Sequence, residues 1–220
     1  MALKPALVLN VRLRIIILTC LLSASCAILN AQNRYFQSGI ISGFHKYTLS
    51  GDINDFWNAV DGIGFNYGTM AGLYAKHALS YEQYVKCKIR YIRKGSIHTL
   101  PSYYGLPNYE RLKLDYLEIL LVYGKEIFVY QKRCYLEIGP GVARLARKRM
   151  FIDQYNSYTD ISYGEAFRNF DVTGFLELVI PAGRKEKLAY TIEMSTSLFS
   201  IHKMFKLQNF HYGFGLDYQF

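Results

Sequence analysis

The last twelve residues alternate without a break. From 209 to 220 the even positions hold Phe210, Tyr212, Phe214, Leu216, Tyr218 and Phe220, and the odd positions hold Asn209, His211, Gly213, Gly215, Asp217 and Gln219. Successive side chains of an extended strand point to opposite faces, so this segment is a ribbon with one wholly apolar, aromatic face and one small or polar face. A helix would mix the two sets around its circumference. The feature therefore commits the C-terminus to a sheet whose two surfaces meet different solvents.

The same dyad recurs upstream. Residues 81 to 92 place Val85, Cys87, Ile89 and Tyr91 on one face and Glu82, Lys86, Lys88 and Arg90 on the other. Residues 133 to 145 set Cys134, Leu136, Ile138 and Val142 against Tyr135, Glu137, Gly139, Gly141 and Ala143. Residues 170 to 180 set Phe170, Val172, Leu176, Leu178 and Ile180 against Asp171, Thr173 and Glu177. Segments 34 to 46, 62 to 75, 111 to 124 and 187 to 201 repeat the pattern less sharply. In 62 to 75 the inner set is Gly64, Asn66, Gly68, Met70, Gly72 and Tyr74; in 111 to 124 Glu118 faces in while Leu117, Ile119, Leu121 and Tyr123 face out. No run of about 18 apolar residues follows Ala31, so a helical span is excluded. About eight strands result, a count found among small membrane barrels, whose strands need about 9–11 residues to cross. The expected fold is all-β: a single antiparallel up-and-down transmembrane barrel.

Connection lengths point the same way. The stretches 47 to 61, 93 to 110 and 146 to 167 read as long connections and those near 76 to 80, 125 to 131 and 182 to 186 as short turns, with a short last connection near 202 to 207. Long outer loops alternating with short inner turns is the outer-membrane arrangement. A soluble lipocalin-like barrel, the alternative, would turn its oily faces inward.

Residues 1 to 31 carry Lys4, Arg12 and Arg14 with no acid, then the apolar run Ile15 to Leu22, then small and polar residues up to Ala31. This is the order of a cleavable secretory signal peptide. Cleavage after Ala31 divides the chain into a signal peptide, 1 to 31, and a barrel domain, 32 to 220. Loss of three of the 26 basic side chains lowers the formal charge from +9 to about +6. Two cysteines remain, Cys87 and Cys134, read as small lipid-facing residues. Their isolation supports neither a disulfide framework nor a metal site. No recognition motif or basic helix points to nucleic acid, and no cofactor is expected.

Five short stretches, in order, carry a family resemblance: Tyr91-Ile92-Arg93-Lys94-Gly95, Leu114-Asp115-Tyr116-Leu117-Glu118-Ile119, Tyr135-Leu136-Glu137-Ile138-Gly139-Pro140-Gly141, Phe170-Asp171-Val172-Thr173-Gly174 and Phe214-Gly215-Leu216-Asp217-Tyr218-Gln219-Phe220. From about residue 36 onward the chain resembles the Bacteroidota outer-membrane β-barrel proteins known as PorT-like or porin-family proteins. Glu118-Ile119-Leu120 departs from that family's common Glu-Ile-Pro. The resemblance implies a bacterial outer-membrane location and, through the terminal aromatics Tyr218 and Phe220, a signal for the barrel-assembly machinery. Through one namesake of the family it also suggests an accessory role in protein secretion or transport.

Lys86, Lys88, Arg90, Glu118, Glu137, Glu177, Glu193 and Asp217 all take the inward parity. A charge facing lipid costs about 2–4 kcal/mol at the midplane, and an eight-stranded lumen is filled by side chains, so these eight are expected to pair into a structural polar network. An enzymatic alternative, a lipid A-modifying barrel, would use Ser200 and His202, which share a strand face at i, i+2. No acid is evident on the neighbouring strand to orient the imidazole, and the chain is read as non-enzymatic. The connections carry His98, Pro101, Tyr103, Tyr104, Pro107 and Tyr109, then Arg147, Lys148, Arg149, Tyr155, Tyr158 and Tyr163. Tyr-rich loops suit a protein or glycan partner, and the basic trio suits lipopolysaccharide phosphates. The expected role is structural, adhesive or accessory.

Overall fold

A computed structural model describes residues 36–51, 62–64, 66–100, 108–152, 157–159, 167–183, 186–203 and 206–220. The segment read as a signal peptide lies outside them, as do Pro101, Tyr103, Tyr104, Pro107, Tyr155 and Tyr163. Among these residues ten strands are formed: β1 (Phe36–Gly51), β2 (Gly62–Gly64), β3 (Asn66–Ala78), β4 (Gln83–Leu100), β5 (Asn108–Val129), β6 (Lys132–Ile152), β7 (Ser157–Thr159), β8 (Phe170–Ala182), β9 (Leu188–Ser197) and β10 (Leu207–Gln219). Short β2 pairs with the far part of β4, and short β7 with the far end of β6. The other eight are staves of one antiparallel wall, and β1 pairs with both β3 and β10, which closes it.

The registers fix the geometry of closure. From Phe36 the paired residues run through His77, Val85, Tyr123, Ile138, Leu176, Met194 and Tyr212, and return to β1 at Lys46, ten residues further along. Eight strands with a shear of ten tilt by roughly 40° and enclose a radius of about 8 Å, enough to hold side chains and little else. One end gathers the short turns and both ends of the wall, where the Phe220 amide donates to the Ser38 carbonyl at 3.0 Å. There β5 and β6 join through Tyr130 and Gln131, both left-handed (φ 48° and 64°), a two-residue turn of the I′ kind.

Strands β4, β5 and β6 run well past the expected segments. Most of 93 to 110, and the start of 146 to 167, is paired wall, so His98, Tyr109 and Tyr158 belong to strands β4, β5 and β7. The outward face changes character along these staves. In β5 the outward side chains from Leu117 to Tyr123 are apolar and Glu118 is inside; one turn of the pleat higher, Leu112 and Leu114 are buried inside and Lys113 and Asp115 point outward. A bulge accompanies the switch: Asp115 pairs with Arg147 but Tyr116 with Leu145, leaving Ala146 as the extra residue of β6.

Inside, the far half of the lumen is an apolar core of Leu49, Met70, Ile92, Leu112, Leu114, Tyr116 and Ala143, closed by Phe167, Ile201 and Leu207. The half nearer the turns holds most of the charges, with a second apolar cluster of Leu120, Val122 and Phe175 among them. Cys87 is exposed on the outer wall; Cys134 shares the outward parity but is buried, a correction to its reading as lipid-facing.

Candidate functional site

Strand β4 supplies the spine of the interior. Its inward positions carry Lys86, Lys88, Arg90 and Lys94, interrupted by Ile92, and all four cations are buried. Each bridges two carboxylates. Lys86 donates to Glu137 (3.0 Å) and Asp217 (2.7 Å); Lys88 lies 2.7 Å from Glu137 and also binds Glu177. Arg90 holds Glu118 (2.7 Å) and, across the lumen, Glu193 (2.6 Å), and Lys94 reaches Glu118 (3.2 Å) and Asp171 (3.5 Å). The eight residues singled out by parity thus fall into two ion-paired groups stacked in the lumen, Lys86 and Lys88 with Glu137, Glu177 and Asp217, and Arg90 with Glu118 and Glu193.

The lattice contains members to which the sequence assigned no role. Lys94 fell in a stretch read as a loop, and Asp171 lay on the right face without being assigned a role. Asp171 accepts from Ser197 (2.9 Å) and Asn209 (3.1 Å), Glu118 from Thr173 (3.0 Å), Glu137 from the Tyr84 hydroxyl (2.6 Å), and His211 sits 3.2 Å from Glu193. All share the inward parity, which is the signal that could have found them. Glu137, Glu177 and Glu193 stand abreast on β6, β8 and β9. Lys88 between the first two and Arg90 beside the third offset their repulsion, and the Phe175 ring lies under both cations at 4.7 and 5.1 Å. A buried charge left unpaired would be prohibitive, and each of these charges has an opposite charge beside it, although Arg90 Nη2, Asp171 Oδ1 and His211 Nδ1 are buried without a hydrogen-bond partner.

At the far mouth the wall is basic. On its outer side Asp115 is clasped by Arg93 (2.7 Å) and Arg149 (3.0 Å), while Arg144, Arg147, Arg168, Lys203 and Lys206 are exposed. Burial, together with the neighbouring Lys203 ammonium, holds Lys148 below the usual lysine range.

Strand β9 ends at Ser197, short of the expected 201, so Ser200 lies in the connection to β10 rather than on a strand face. Its hydroxyl accepts from the amides of His202 (3.3 Å) and Leu207 (3.1 Å) and donates to the His202 carbonyl (2.9 Å). The His202 ring stands edge-on to Phe167, centroids 5.2 Å apart. The pair thus organises the connection into β10 and places Phe167 and Ile201 over the lumen. Tyr218 and Phe220 project outward from the wall, their rings 6.1 Å apart.

No family model matches the chain, and no curated protein matches it. Among solved structures it is similar to Neisserial surface protein A (TM-score 0.45, 11% identity, 84% of this chain and 97% of that one). It is also similar to Ail, the attachment invasion locus protein of Yersinia pestis (0.46, 13%, 84% and 99%), and to the N-terminal β-barrel domain of Pseudomonas aeruginosa OprF (0.35, 10%, 83% and 97%). At such identities the likeness concerns the fold alone.

Proposed function

We propose that the chain is an outer-membrane barrel of a Gram-negative bacterium, non-enzymatic, that acts in a structural or adhesive capacity through the surface at its far mouth. The observation that carries this reading is the height of the uncharged outer wall. On β5 the outward face is free of charge between Asp115 and Lys125, and on β4 and β6 it becomes basic at Arg93 and Arg144. Ten residues at about 3.3 Å each, tilted by roughly 40°, span about 25 Å, the height of the apolar band of such barrels. A water-soluble barrel would have no reason to confine Phe44, Ile89, Ile119, Ile138, Leu176 and Phe214 to a band of that height on its exterior.

The filled lumen favours a role for the rim over passage of a solute or a polypeptide, and so weighs against the transport reading. Above the band, Arg144, Arg147, Lys148 and Lys203 form a cationic mouth suited to the phosphates of lipopolysaccharide or to an acidic glycan. Tyr218 and Phe220 are offered to the barrel-assembly machinery, and residues 1 to 31 to the export machinery. The finer placement among PorT-like proteins of the Bacteroidota rests on the five short stretches alone.

The test is fractionation. The protein is expected in the outer-membrane fraction, as a band that migrates faster before boiling than after. A heat-insensitive protein recovered from the soluble periplasm would overturn the reading in favour of a ligand-binding soluble barrel.

A further inference from the structure

At the end where the short turns gather, the barrel opens into a cavity of about 320 Å³. Its floor is the last layer of the charge lattice, Lys86 with Asp217. One side is apolar, formed by Val179, Pro181 and Ala189; the other is aromatic, formed by Tyr74, Tyr84 and Tyr135. Four cations line it, and two of them are committed: Lys86 to Glu137 and Asp217, and Arg133 to Glu126 at 2.5 Å and Glu186 at 3.7 Å. Lys76 is different. Its ammonium lies 4.8 Å from the centroid of the Tyr84 ring, and among the described residues no carboxylate pairs with it. The Tyr84 hydroxyl is fixed on Glu137 and its ring packs edge-on to Tyr135, centroids 5.5 Å apart, so the platform under Lys76 is rigid. Lys187 stands at the edge of the same cavity, likewise without a carboxylate among the described residues.

We propose that this vestibule binds a small oxyanion, a phosphate or carboxylate carried by a short solute or by a lipid headgroup. Lys76 is its counter-ion, Lys187 closes from the rim, and the Val179–Ala189 side accepts an apolar portion. A half-enclosed cation over an aromatic ring, inside a cavity of ligand size with convergent polar groups and one oily wall, is what such recognition requires. The site does not depend on the role proposed for the far mouth, and it fails or stands separately from it.

The experiment uses the full barrel in uncharged detergent micelles and follows reductive methylation of each lysine by mass spectrometry. Inorganic phosphate is expected to protect Lys76 saturably while Lys125, exposed on the outer wall, reacts unchanged. Protection by free phosphate identifies a solute site. Protection only in micelles doped with phosphatidylglycerol identifies a headgroup site. Lys76→Gln should weaken phosphate binding, read by phosphorus NMR, by about tenfold or more, with Lys76→Arg largely retaining it. Absence of protection in both arms, or equal protection of Lys125, would overturn the proposal. So would unchanged affinity in a Lys76→Gln barrel that still migrates as a folded band.

Discussion

Arg90 is enclosed on all sides, and its guanidinium ties Glu118 on the adjacent strand to Glu193 on the opposite wall. Arg90→Met leaves Glu193 with only His211 beside it and Glu118 with only Lys94, so unfolding in urea from micelles should show a loss of about 3–5 kcal/mol. Adding Glu118→Gln and Glu193→Gln to the same barrel should recover most of it, because the cost lies in uncompensated charge more than in lost contact. Shape matters at the same scale. A Cβ at Gly124 would lie 2.3 Å from the ring of Tyr84, its registered partner, and the ring is pinned by its hydroxyl. Gly124→Val should therefore cost about 1–3 kcal/mol of overpacking and lower the yield of the fast-migrating folded band. The face of each charged residue was legible from parity, because a period of two admits no third orientation. Which cation meets which carboxylate was not, since Arg90 reaches Glu193 only through a shear that is set by all eight registers together.

The elements were legible where lipid dictates their pattern and illegible where it stops. Along strand β5 the even positions face inward throughout, apolar at Leu112, Leu114, Tyr116, Leu120 and Val122 with Glu118 among them, while the outward face changes from apolar at Leu117 to Tyr123 to charged at Lys113 and Asp115. The outward apolar signal stops at that point, so a strand that continues looks like a strand that ends. On β6 the extra residue at Ala146 does shift the parity. The turns carry a different lesson. Tyr130 and Gln131 occupy left-handed positions for which Asn-Gly is the favoured pair. Replacing both, Tyr130→Asn with Gln131→Gly, should raise stability by about 1–2 kcal/mol by removing Cβ strain, seen as slower unfolding. A decrease instead would assign the exposed Tyr130 ring an anchoring role at the membrane surface that outweighs the strain.

For the whole molecule the decisive question is what surrounds the wall. Shear and strand number place Ile119 close to the middle of the uncharged band, one residue from the midpoint between Asp115 and Lys125, with Ile89 and Val142 as its registered neighbours. Its side chain is about half exposed (51%), so no protein contact explains why it is apolar. If the barrel lies in a bilayer, Ile119→Arg takes a guanidinium to the midplane and should cost about 2–4 kcal/mol, read as reduced folding efficiency into phospholipid vesicles. If water surrounds the wall, the same change sits on an exposed surface and should fall within about 0.5 kcal/mol of neutral. Arg144→Ile, at the upper edge of the band, supplies the internal comparison, because removing a charge there deepens the apolar wall and should leave folding into vesicles unimpaired. A large penalty for Ile119→Arg with none for Arg144→Ile requires a lipid slab of limited height around the barrel. Equal and small effects would instead mean that the exposed apolar band is covered by another protein or by nothing at all.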